Sequence, residues 1–143
     1  MAKQYPKEPK VFALELRKLI EKAKVAPDLV VRKATLDIHA SVVDMSPVDT
    51  GRFKGNWNIA YGSPDLTVTT NTDPSGSEAK SKALAAAASY AGQSVYITNN
   101  LPYAIPLEYG HSGQAPQGMV RVTVARWNGH IEKAIGEVGN EQP

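Results

Sequence analysis

The chain has no cysteine in its 143 residues, so neither disulfides nor a thiolate metal site hold the fold. That absence fits folding in a reducing compartment. Long apolar runs are missing too. The longest, around 83–88, is far too short to span a bilayer. The first ten residues hold three lysines and two prolines instead of the apolar stretch of a secretory leader, so a soluble intracellular product is expected. Serine-nucleophile motifs and carboxylates paired at catalytic spacing are absent, and Gly51 and Gly55 lack the strand, lysine and spacing of a phosphate-cradling loop.

What is present describes one globular domain. Hydrophobic content of 42% with 21% charged residues is too apolar for a disordered chain and sufficient for a single core. The net charge of +2 is unevenly spread. Residues 1–33 carry nine Lys/Arg against four acids, and the rest carries seven against ten. A basic first quarter suits phosphate, an acidic neighbouring subunit or plain solvent. Aromatic residues are not interleaved with these bases in a way that would stack on nucleobases.

Residues 1–9, with Pro6 and Pro9, read as an extended arm. From Lys10, Phe12, Leu16, Leu19 and Ala23 recur at amphipathic helical spacing. Pro27 and Asp28 open a second helix, which is apolar over most of its circumference and is therefore packed on two sides, placed centrally in the domain or at a subunit interface. It must end before Pro47. Trp57, Ile59 and Tyr61 then alternate with polar or small residues, as do Leu66 and Val68, which predicts a hairpin. Residues 78–90 are alanine-rich and helix-favouring, with so small an apolar payload that a surface position or a contact with another chain is expected. Val95 and Ile97 share one side of a third strand. Residues 116–138 continue an apolar pattern at helical spacing for five turns and predict one long helix ending at Gly139.

The expected fold class is α+β: a small, mostly antiparallel sheet of three to four strands, packed with two N-terminal helices and a long C-terminal helix. The division is an arm at 1–9, a domain at 10–138 with an alanine-rich insert at 72–92, and a tail at 139–143.

The segment 94–119 packs a strand, an Asn-Asn turn, a Pro-bounded helical turn and a glycine stop into 26 residues, and stores its information in shape, since almost nothing in it does chemistry. His39, His111 and His130 have no acids at ligand spacing and read as surface or packing histidines. Glu108 and His111 could form an acid–base pair, against the plainer reading of Glu108 as a helix-end carboxylate beside a capping glycine. Trp57, Tyr96, Tyr103 and Tyr109, with Lys18 and Lys22, are candidate interface residues; as core residues Tyr103 and Tyr109 would read the same.

Five runs carry a resemblance: residues 46–52 (SPVDTGR), Asn56-Trp57, residues 96–104 (YITNNLPYA), residues 107–110 (LEYG) and residues 114–120 (QAPQGMV). In that order and spacing, over roughly residues 30–138, the chain resembles the neck or tail-completion family of long-tailed phages, which includes the group of minor tail proteins similar to lambda's Z protein. The resemblance implies a structural virion protein, made in the host cytoplasm, without catalytic residues, cofactors or metals. It would form a ring of subunits, six to match the tail tube, at the head-proximal end of the tail. Its neighbours would be tail-terminator, tail-tube or head-closure proteins, and DNA would pass through the lumen without sequence recognition. Two other classes stand beside it: a nucleic-acid-binding module using the basic N-terminal helices, and a small hydrolase centred on Glu108 and His111.

Overall fold

The computed structural model describes residues 17–18 and 20–141, so the arm at 1–9 and the start of the first helix lie outside the described residues. Residues 20–23 are helical, and Lys24 closes that stretch with a left-handed φ of 55°. The elements that follow are α1 (Pro27–Met45), α2 (Arg52–Gly55), β1 (Trp57–Tyr61), α3 (Ser77–Ala87), β2 (Val95–Asn99), α4 (Ala104–Glu108), α5 (Val120–Ala125) and α6 (Trp127–Glu141).

Helix α1 is the axis of the domain. Proline in its first turn has no amide of its own to leave unpaired, and Asp28 meets the positive end of the helix dipole. Val30, Ala34, Ile38 and Val42 bury one row at spacing four, and Thr35, His39 and Val43 the row beside it. Two apolar clusters share this helix. Its first half packs Val30 and Ala34 against Ile131, Ala134 and Val138 of α6, together with Ile20 and Val25. Its second half packs Val42 and Val43 against Phe53, Trp57, Leu101 and Met119. Burial of each large aliphatic or aromatic side chain contributes roughly 1.5–3 kcal/mol.

The alanine-rich helix does not lie loosely on the surface. Ala79, Ala83 and Ala87 of α3 repeat at spacing four, are nearly fully buried, and let α3 sit close against α1. The outer side of α3, with Leu84 at 64% exposure, faces solvent. The start of α3 is fixed by Asp73, whose carboxylate accepts from the Ala79 amide at 2.8 Å and the Glu78 amide at 3.3 Å.

The sheet corrects the sequence expectation. Among the described residues it has two antiparallel strands, not three to four, with Trp57 opposite Asn99 and Tyr61 opposite Val95. The expected hairpin partner at 66–68 is not a ladder strand, because side chains take its main-chain hydrogen bonds. Asn56, only 1% exposed, receives the Thr69 amide on Oδ1 at 2.9 Å and donates from Nδ2 to the Thr69 carbonyl at 3.0 Å. Asn58 donates to the carbonyls of Asp65 and Thr67, and Thr98 and Asn100 also reach the Asp65 carbonyl. Asn58 and Thr98 are register partners on one face, so the segment crosses the polar face of the sheet instead of extending it.

The long C-terminal helix is also corrected. Helical structure begins at Val120, not near Pro116, and Arg126 (φ −100°, ψ 15°) divides α5 from α6. The ladder bends but continues, since the Arg126 amide reaches both Val122 and Thr123 carbonyls and the His130 amide reaches Arg126. Gly139 does not stop α6, which runs on to Glu141.

His39 is buried at 1% exposure, and its ring Nε2 donates to the Trp57 carbonyl at 3.3 Å. The Trp57 indole in turn donates to Ser46 Oγ at 2.7 Å, which caps the Val42 carbonyl at 2.6 Å. Burial lowers the His39 pKa; the hydrogen bond to the Trp57 carbonyl opposes this without cancelling it, and Lys80 adds to the lowering. A histidine lowered on folding is neutral in the native state while the unfolded chain takes up a proton near pH 6.5. Stability should therefore fall as pH drops below about 6.5 and on through the folded pKa. Melting curves between about pH 7 and pH 5 should show that fall, and His39→Gln, which keeps a donor for Trp57, should flatten it.

Candidate assembly interface

The segment from β2 to α5 is a joint held by side chains that bind main chain. Leu101 plugs it into the core, and the Asn99 side chain donates from Nδ2 to the Phe53 carbonyl at 2.9 Å. Gln114 pairs with the backbone of Val48 in both directions, at 2.9 Å from the Val48 amide and 3.0 Å to its carbonyl. Glu108, the last residue of α4, caps α5: Oε1 accepts from the amides of Met119 (2.9 Å) and Val120 (2.7 Å), and Oε2 from the amide (3.1 Å) and Nε (3.0 Å) of Arg121. Arg121 closes the clamp by donating to the Glu108 carbonyl.

The glycines make this approach possible. Gly118 has φ +85°, and a Cβ there would collide with the carbonyl and carboxylate of Glu108. Gly110 has φ +88°, and a Cβ there would come within 2.6 Å of the Pro116 carbonyl oxygen. Burial pushes the Glu108 pKa up, but the three amides and the Arg121 guanidinium outweigh it and hold the carboxyl below its ordinary 4.5.

Above this clamp the joint exposes apolar side chains. Ile105 is 71% exposed, Tyr109 64% and Val120 42%. Tyr109 is held by the Arg121 guanidinium, 4.7 Å from its ring centroid. Beside them opens a groove of about 360 Å³, floored by Phe53, Trp57, Ile97 and Met119. A second groove of about 240 Å³ continues along β2 and α5, lined by Ile38, Val42, Val95, Val124 and Trp127. Ser41 and Thr123 join α1 to α5 beneath it at 2.9 Å.

The sequence-derived candidates divide. Tyr109 lies on this surface. Tyr103, 39% exposed, packs its ring 5.9 Å from Phe53 and borders it. Trp57 is 7% exposed, a core residue and the floor of both grooves. Tyr96 (36% exposed) stands on the opposite, polar face of the sheet. Lys18 and Lys22 are exposed on the helical stretch whose Ile20 packs in the other cluster, so they are not part of the joint. Sequence reasoning missed Ile105, Val120 and Arg121. An isoleucine beside Pro106 in a helix of five residues was the available signal, since so short a helix has little inner face.

Glu108 accepts four hydrogen bonds from its own chain, which leaves it no free lone pair for a general base beside His111. Neither His111 nor His130 is among its hydrogen-bond partners, and among the described residues no three His, Asp or Glu side chains converge to hold a metal. Of the nine N-terminal bases, Arg32 donates to the Tyr90 carbonyl at 2.8 Å and Lys33 lies 3.9 Å from Glu137. No helix among the described residues is long and apolar enough to cross a membrane. No family model, curated protein or solved structure matches the chain.

Glu108→Gln should cost about 1.5–3 kcal/mol at neutral pH, because charge-assisted bonds to four donors weaken together. A carboxyl lowered on folding contributes its stability above about pH 4.5 and loses it as pH falls through the folded pKa. Denaturant titrations of wild type and variant should therefore converge in acid; a constant difference at all pH values would contradict the clamp.

Proposed function

We propose that this chain is a structural subunit of a phage tail, one that forms a ring with copies of itself at the head-proximal end, where tail completion joins tail to head and DNA passes through the lumen. The observation that carries the reading is the apolar surface of Ile105, Tyr109 and Val120 beside an open groove, on a joint whose Glu108 carboxylate is spent on capping α5. Contiguous exposed apolar surface marks an interaction site.

The five runs behind the family resemblance meet at this joint. Gln114 ties residues 114–120 to residues 46–52, Asn99 ties residues 96–104 to Phe53 next to Asn56-Trp57, and Glu108 ties residues 107–110 to Met119 and Val120. Such residues serve shape, as a connector requires. In a ring each contact is head-to-tail, so this surface would meet a different one on the next copy. Six copies would match the tail tube, with tail-terminator, tail-tube or head-closure proteins above and below and the virion as the site of action. The nucleic-acid-binding alternative draws on a basic first quarter of which Arg32 and Lys33 already engage the fold.

Mass measurement and imaging of assembled tails test the reading by copy number and position. A single ring at one end is expected, and Ile105→Asp should fold yet fail to enter it. Copies spread along the tube, or one copy per particle, would overturn it.

A further inference from the structure

Among the described residues one strand edge and one loop segment are left without main-chain partners, and they match. One step beyond the register pair Tyr61–Val95, the Gly62 amide donates to the Ser94 carbonyl at 2.8 Å. Antiparallel partners alternate between bonded and non-bonded pairs, so the bonded pairs in the ladder are Ala60–Tyr96 and Asn58–Thr98. Val95 and Ile97 therefore aim their amides and carbonyls away from β1, along the outer edge of β2. Among the described residues these groups have no partner there. The side chains of Val95 and Ile97 share a face with Trp57 and line the 240 Å³ groove.

The second edge is the segment that crosses the polar face. Its odd-numbered residues are tied inward, through the carbonyls of Asp65, Thr67 and Thr69 and the amide of Thr69. The main chain of Leu66, Val68 and Thr70 makes no hydrogen bond among the described residues, and the side chains of Leu66 and Val68 are 68% and 46% exposed. Natural edges resist pairing with charges or proline. Residues 66–70 (LTVTT) and 94–99 (SVYITN) carry neither.

We propose that residues 66–70 of one copy add as an antiparallel strand to the outer edge of β2 in the next, with Leu66 opposite Ile97 and Val68 opposite Val95. These are bonded pairs, and paired residues project their side chains to the same face. Leu66 and Val68 thus land beside Ile97 and Val95, on the side of the apolar groove. A slip of two residues sets Leu66 against Asn99 or Val68 against Gln93, and a slip of one turns both to the polar side. The two surfaces differ, so repeated addition is head-to-tail and closes a ring where the rotation permits. This pairing rests on the reading of the chain as a ring subunit and supplies one of its contacts.

The absence of cysteine makes a clean test possible. In the proposed register Thr67 and Tyr96 form a non-bonded pair, with Cα atoms about 4.5 Å apart and within reach of a disulfide. Thr67→Cys and Tyr96→Cys are made singly and together, checked for fold by circular dichroism, oxidised and run on non-reducing gels. The mixed single variants should give a dimer, the double variant a ladder of multimers, and each single variant alone no more than background. Adding Val68→Lys to the double variant should abolish the ladder. A mixture that dimerises no more than its components overturns the pairing. Copy number in assembled tails is read separately: a ring there without the cross-link removes the strand pairing alone, whereas a cross-link with no ring supports the pairing and removes the tail reading.

Discussion

The long irregular segments of this fold lean on polar side chains that stand in for secondary structure. Asn56 does for Thr69 what a neighbouring strand would do, giving and receiving one bond. Gln114 does the same for Val48. Glu108 replaces the turn of helix that would otherwise satisfy the first amides of α5. Amide side chains carry a donor and an acceptor as a peptide does, so one side chain closes what would take a strand of several. The arrangement is exacting, because removing one partner strands a buried group at a cost of about 1–3 kcal/mol.

This explains which parts were legible in the sequence. Helix α1 was readable because Val30, Ala34, Ile38 and Val42 repeat with the period of its own backbone, and β1 and β2 because Trp57–Tyr61 and Val95–Asn99 alternate. The third strand failed because Leu66 and Val68 alternate toward solvent, and the inward bonds come from Asn56, Asn58 and Asn100, whose partners are distant in sequence. The alanine helix keeps a solvent-facing side, but its close contact with α1 could not be read from apolar mass, because Ala79, Ala83 and Ala87 contribute closeness instead. The start of α5 could not be placed by periodicity, since its cap sits on Glu108, twelve residues before Val120. For the site, the segment 94–119 and Tyr109 were visible, while Ile105, Val120 and the Arg121 clamp were not.

The two apolar clusters divide the labour along α1. The α6 half is a conventional helix pair, packed through Ala34 and Ala134. The other half supports an exposed joint and two grooves floored by Trp57. A rigid joint beneath exposed apolar residues suits an assembly part, because a preorganised surface loses little freedom when it is covered.

Native-state hydrogen exchange tests most directly whether side-chain clamps hold this fold. The amides of Val48, Thr69 and Val120, none of them bonded to another backbone group through a regular ladder, should exchange as slowly as those in the middle of α1. In Asn56→Ala, protection should vanish at Thr69 and persist at Val48 and Val120. Exchange at all three positions as fast as in an open loop would contradict the account.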